Sequence, residues 1–185
     1  MAAWNAAGFQ SRQIRLVPAA ERSACSRFED MVFPSSPTDD AFADLLTSSY
    51  QRLVGRALLP GTVAARDTSR WLYEQAPFAV LAHDTSPDPV FVYANRTAQR
   101  RFEYSWEEFV GMPSRLSAEA PNRDERQAFL NDVLRQGFAD DYRGLRITKS
   151  GRRFWAEAAT VWNLIDAGGN LRGQAALVRR WTDIA

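Results

Sequence analysis

Cysteine, histidine and lysine each occur once in these 185 amino acids, as Cys25, His83 and Lys149. A single cysteine excludes a disulfide framework and a cysteine-rich zinc site, and it points to a reducing, cytoplasmic compartment. A lone histidine leaves no partner for a metal centre or for a nucleophile with its base; His83, in the polar stretch near Asp84 and Asp88, reads as a surface residue of a turn. Neither sign of charge is in excess, with 23 Lys plus Arg against 22 Asp plus Glu and a net charge of +1. No polybasic sleeve is encoded, and no direct nucleic-acid partner is expected. Apolar runs stay far short of the roughly 20 residues a membrane span requires, so a soluble protein without a membrane partner is expected. A glycine-rich phosphate loop is also missing, which leaves nucleotide hydrolysis without support. What remains is ordinary for a globular domain, 45% hydrophobic and 24% charged residues, enough for one core of usual size.

Residues 1–36 mix Ala, Ser and Arg with Pro18 and Pro34 and hold neither period 2 nor period 3.6. They read as a disordered extension or a misassigned start, with Met31 as the alternative first residue; their Arg content also fits an organelle transit peptide. A helical region over 37–71 follows. Phe42, Leu45, Leu46, Tyr50, Leu53, Val54 and Leu58 recur at steps of three and four, which predicts an amphipathic helix from Thr38 to Leu58. A short helical stretch over 69–75 leads to Pro77. From 72 to 185 the text reads as two short strands, Phe78–Ala82 and Val90–Tyr93, then helices, then strands at Asp140–Thr148, Arg153–Ile165 and Leu171–Trp181. Asn95 can cap one helix, Ser105 with Glu108 forms a capping box, and Asn122 with Glu125 repeats that device before a helix closed by Gly137. The fold class is therefore α+β, a five-stranded antiparallel sheet with helices on one face, preceded by an amphipathic helix.

Four segments carry a resemblance to PAS-like domains: Tyr93-Ala94-Asn95, Tyr104 to Gly111, Thr148 to Trp155, and Trp181 to Ile184. Within that superfamily the chain resembles the MEKHLA domain, through Pro113 to Glu119, Gly137 to Tyr142 and Ala159 to Leu164. The resemblance implies a regulatory, non-enzymatic sensory module that binds a small organic ligand or a protein partner. It also implies which cofactors to look for, and two find no anchor. Gly111 to Leu116 has no cysteine for a flavin adduct, and 122–136 has no histidine for a haem. No resident cofactor or metal is expected.

Ligand-binding PAS domains use the sheet face beneath the helices. Strand alternation from Phe154 puts Phe154, Ala156, Ala158, Thr160 and Trp162 on that inner face, and Trp155, Glu157, Ala159, Val161 and Asn163 on the outer one. The same rule turns Tyr142, Gly144 and Arg146 inward, with Gln174, Ala176 and Val178. Tyr142, Arg146, Asn95, Ala156, Ala158, Thr160, Trp162 and Gln174 are thus the candidate ligand-binding residues. An inward Arg146 needs an anion, or an acid such as Glu103 or Glu119. The alternative function is a small-molecule enzyme that uses Arg146 to hold a carboxylate-bearing substrate. The stripe on the first helix and the apolar outer face, with Trp155 and Val161, each need a cover. The helix is expected to pack on that face, in its own chain or across a homodimer.

Overall fold

A computed structural model describes residues 34–184. The expected extension lies outside the described residues as far as residue 33.

Helix α1, Asp40–Val54, starts where the extended Asp39 accepts the Phe42 N–H at 2.8 Å. It ends four residues before the expected Leu58, because Gly55 takes φ 80° and terminates the turn. Helix α2, Thr68–Arg70, continues through one π-turn at Trp71–Gln75. Strands β1 (Ala79–His83) and β2 (Phe91–Ala94) form a hairpin, followed by α3 (Arg96–Phe102), α4 (Trp106–Phe109) and α5 (Arg123–Gln136). The predicted caps of α3 and α4 form: Asn95 accepts from Ala98, and Ser105 and Glu108 make the reciprocal box. Asn122 makes no cap. A 3-10 turn, Ala120–Asn122, runs straight into α5 and leaves Asn122 at φ −101°, ψ 2°, not in the extended state a capping residue needs.

The chain closes with β3 (Phe138–Ile147), β4 (Arg153–Ile165), β5 (Leu171–Val178) and β6 (Arg180–Asp183). The expected last strand is therefore two. Strand β5 pairs with the second half of β4 and β6 with its first half. The sheet order is β2-β1-β5-β4-β3, antiparallel throughout, with β6 added on β4.

Both faces are covered. On the inner face Ala98, Phe102 and Phe109 pack with Leu81, Phe154, Ala156 and Ala159, while Leu130 and Val133 of α5 meet Val161. On the outer face α1 supplies Phe42, Leu45, Leu46 and Tyr50, which join Val80, Trp162, Leu164 and Leu177 in one cluster. The Tyr50 and Trp162 rings meet edge to face at 5.0 Å, and the Trp162 indole N–H donates to Ser49 at 3.1 Å. The helix stripe thus folds back on its own sheet. The helix stripe expected at a homodimer interface is buried within the chain, whereas Trp155 of the outer face is half-buried beneath Arg143 and outside this cluster.

The alternation of β4 is broken once. Ala158 has φ 48°, and opposite it Asp141 has φ 54°. Pairing runs Ala139 with Val161, Tyr142 with Ala159, then Gly144 with Ala156. Each strand therefore carries one extra residue, and the two bulges cancel. Beyond Ala158 every side chain changes face. Ala159, Val161 and Asn163 point toward α5, whereas Thr160 and Trp162 lie on the α1 side, the reverse of the simple alternation.

Candidate functional site

Tyr142, Gly144, Arg146, Ala156 and Gln174 lie on the inner face as expected, and the structure brings the first three together. The Tyr142 ring stacks on Phe129 of α5, 3.8 Å between centroids and 14° from parallel. Arg146 lies 5.6 Å from the Tyr142 ring centre and donates through Nη1 to the Leu145 carbonyl at 2.7 Å. A Cβ on Gly144 would come within 2.5 Å of the Tyr142 hydroxyl and 2.7 Å of Arg146 Nη1. Glycine at 144 therefore lets these two polar ends converge over the sheet.

The other candidates are engaged elsewhere. Asn95 is fully buried; its amide oxygen accepts from Val80 and Ala98, and its nitrogen donates to the Leu72 and Phe78 carbonyls. Gln174 ties the sheet to α5, donating to the Leu130 carbonyl and to Asn163, both at 3.0 Å. Ala158 is the bulge residue. Thr160 donates to Asp140 at 2.6 Å on the outer face, and Trp162 is at the centre of the α1 core. Neither faces the helices of the inner layer, because the bulge reverses the strand before it reaches them.

Arg146 does not meet the acids expected for it. Glu103 pairs with Arg152 at 2.9 Å and accepts the Ser150 N–H, and Glu119 pairs with Arg153 at 2.9 Å. Its charged neighbour is instead Arg126, which sequence reasoning passed over. Arg126 lies four residues before Leu130 and seven before Val133, so it continues the buried stripe of α5 and is only 7% exposed. Its guanidinium donates to the Ser114 hydroxyl at 3.3 Å. Among the described residues no carboxylate lies within ion-pair distance of Arg126 or Arg146. Burial, and next the charge of Arg146, pull the Arg126 pKa down to about 10. An arginine at an apolar step of the helix was the available sequence signal.

His83 is the second titratable group that burial perturbs here. It is 8% exposed, not a surface residue, because β1 carries it under the hairpin turn. Its Nδ1 donates to the Asp84 carbonyl at 2.8 Å, and Nε2 has no hydrogen-bond partner. Burial pulls its pKa down from 6.5 to about 4, the Asp84 carbonyl opposing and Arg126 adding to the shift. The unfolded chain binds this proton as pH falls through 6.5, whereas the fold takes it only near 4. Stability is therefore lost on acidification across that window, by on the order of 3 kcal/mol in full. His83→Asn keeps a donor for Asp84 but cannot titrate. Urea unfolding between pH 7 and 4.5 should show a shallower decline for this variant; parallel declines would refute the assignment. A cleft of about 190 Å³ opens beside His83, bounded by Gln127, Leu130 and Leu171.

Among the described residues no helix is long and apolar enough to cross a membrane, and no three His, Cys, Asp or Glu side chains gather as a metal site.

No curated protein matches the chain. Among solved structures it resembles an RNA-binding light-oxygen-voltage receptor at 19% identity and a TM-score of 0.54, over 69% of this chain and 35% of that one. The chain thus spans about a third of that receptor's length. It also resembles the PAS domain of a protein from Colwellia psychrerythraea at 15% identity and a TM-score of 0.54, over 65% of this chain and 98% of that domain. Both likenesses are to the fold, which is that of PAS domains. The MEKHLA domain model matches residues 40–183, from the first turn of α1 to the end of β6, and the chain belongs to the MEKHLA domain family.

Proposed function

We propose that this domain is the sensory and interaction module of a regulatory protein. In this reading a small organic ligand is held between α5 and the inner sheet face, and its presence changes how the protein associates. The observation that carries the reading is Arg126. A guanidinium buried in the helix–sheet layer, with one hydrogen bond to Ser114 and no carboxylate beside it, is a costly feature that a ligand would offset. Across the layer Gly144 carries no side chain, and the Tyr142 hydroxyl and Arg146 Nη1 converge over it. A catalytic reading would need a proton acceptor facing the arginines; His83 is engaged through Nδ1, and its Nε2 is closed off from solvent.

Native mass spectrometry of the purified protein, gentle and then denaturing, tests the reading and counts subunits at once. The wild type is expected to retain a small organic compound that Arg126→Met releases with its circular dichroism unchanged. A wild type that retains nothing, and whose melting temperature no small organic compound raises, would sink it.

A further inference from the structure

We infer that the ligand is a small dianion, a dicarboxylate or a phosphate, clamped between Arg126 and Arg146. The inference rests on the sensory reading above and names the chemistry of its site. Two guanidinium groups from different elements face one layer of the fold: Arg126 lies one turn before Phe129 on α5, the Phe129 ring stacks on Tyr142 at 3.8 Å, and Arg146 of β3 lies 5.6 Å from that Tyr142 ring. Elsewhere on these elements Arg143 bonds Glu157 at 3.1 Å, Arg135 pairs with Asp132, and Arg123 donates to the Ala118 carbonyl at 3.2 Å. Among the described residues Arg126 and Arg146 meet no acid, although the chain is almost balanced in charge overall. A monoanion would leave one of the two positive charges uncompensated in a partly desolvated layer, whereas a dianion answers both, each guanidinium offering a planar fork to one oxygen pair.

The remaining groups fit the same ligand. Ser114 is buried and holds Arg126 from the loop before α5, which fixes the fork against the sheet. The Tyr142 hydroxyl stands over Gly144 beside Arg146 Nη1, so a further donor stands next to that fork. The stacked Phe129 ring keeps Tyr142 in that orientation. Any side chain at Gly144 would collide with both the Tyr142 hydroxyl and the Arg146 guanidinium.

Isothermal titration with malonate, inorganic phosphate and acetate tests the charge requirement. Malonate or phosphate should bind at least about tenfold more tightly than acetate, and which of the two is preferred tells a dicarboxylate from a phosphate site. Arg126→Met and Arg146→Met should each weaken the preferred dianion roughly ten- to hundredfold, the range for losing a charge-assisted contact. Without ligand, the same variants should melt no lower than the wild type, since like charges are relieved. Gly144→Val should abolish binding with both charges intact. Equal affinity for acetate and malonate, or malonate binding untouched in Arg146→Met, would overturn the clamp. If no anion binds while native mass spectrometry finds a neutral compound retained, the clamp fails and the sensory reading stands. If nothing is retained and nothing binds, both fail.

Discussion

Leu46→Asp is expected to unfold the domain outright and not to release folded monomers. Leu46 is fully buried in the cluster that joins α1 to β4, β1 and β5. Losing its apolar burial costs about 2 to 3 kcal/mol, and leaving a carboxylate there without a partner adds several more. The sum approaches the 5 to 15 kcal/mol that holds a typical domain together. Thermal melts followed by circular dichroism should show the transition lowered by at least about 10 °C or lost. Ser48→Asp, on the exposed side of the same helix, should melt like the wild type. The variant also decides what α1 is for. A helix docked on a partner copy would, when spoiled, leave a folded monomer; a helix that closes its own chain's core leaves none. A folded Leu46→Asp monomer would contradict the packing described here.

Asn95→Ala should be the second most damaging change, about 3 to 5 kcal/mol, although it removes only a few atoms. One amide joins four backbone groups on three segments: the N–H groups of Val80 and Ala98 at 3.0 Å each, and the carbonyls of Leu72 at 3.1 Å and Phe78 at 2.9 Å. All lie where water does not reach, so each group left unpaired costs about 1 to 3 kcal/mol. Asn95→Asp should be worse, since it keeps the two acceptor roles but turns a charged oxygen toward two carbonyls. Hydrogen exchange gives a sharper readout than global stability. The Val80 and Ala98 amides should exchange faster in Asn95→Ala than other amides of β1 and α3. Uniform acceleration across the domain would show that Asn95 is no local fastener.

The same two residues show what could be read in advance. Asn95 was legible as a helix cap because capping is a local event, settled by the extended backbone before Arg96 and the amide three residues on. That such an Asn also ties its helix to a neighbouring segment is a common role; which segments, the π-turn and β1, was not legible, since those partners lie 23 and 15 residues away. Leu46 was legible as buried from its spacing, and an outer-face cover was expected; which copy's sheet it covers depends on chain path. The bulge at Ala158 was hidden for a different reason. The run Ala156 to Thr160 contains no Gly, Pro, Asn or Asp to mark a break, so plain alternation runs straight through it and puts Thr160 and Trp162 on the wrong face. The Asn122 cap failed through a neighbouring element, the 3-10 turn that supplies the start of α5 in its place. Arg126 was missed because an arginine at an apolar step of a helix is usually a boundary residue with its head in water.

The offsetting bulges tie the lengths of two strands to each other. Pairing has the same register on either side of Asp141 and Ala158. Deleting either residue alone would leave one end of the ladder out by one position, and the Thr148–Arg152 turn or the Gly137 junction with α5 would have to absorb the mismatch. Deleting both would remove the defect yet keep Tyr142, Ala159 and Val161 facing α5. Insertions and deletions at these two sites should therefore travel together through the history of the family, and a related chain that lacks one of the two residues is expected to lack the other.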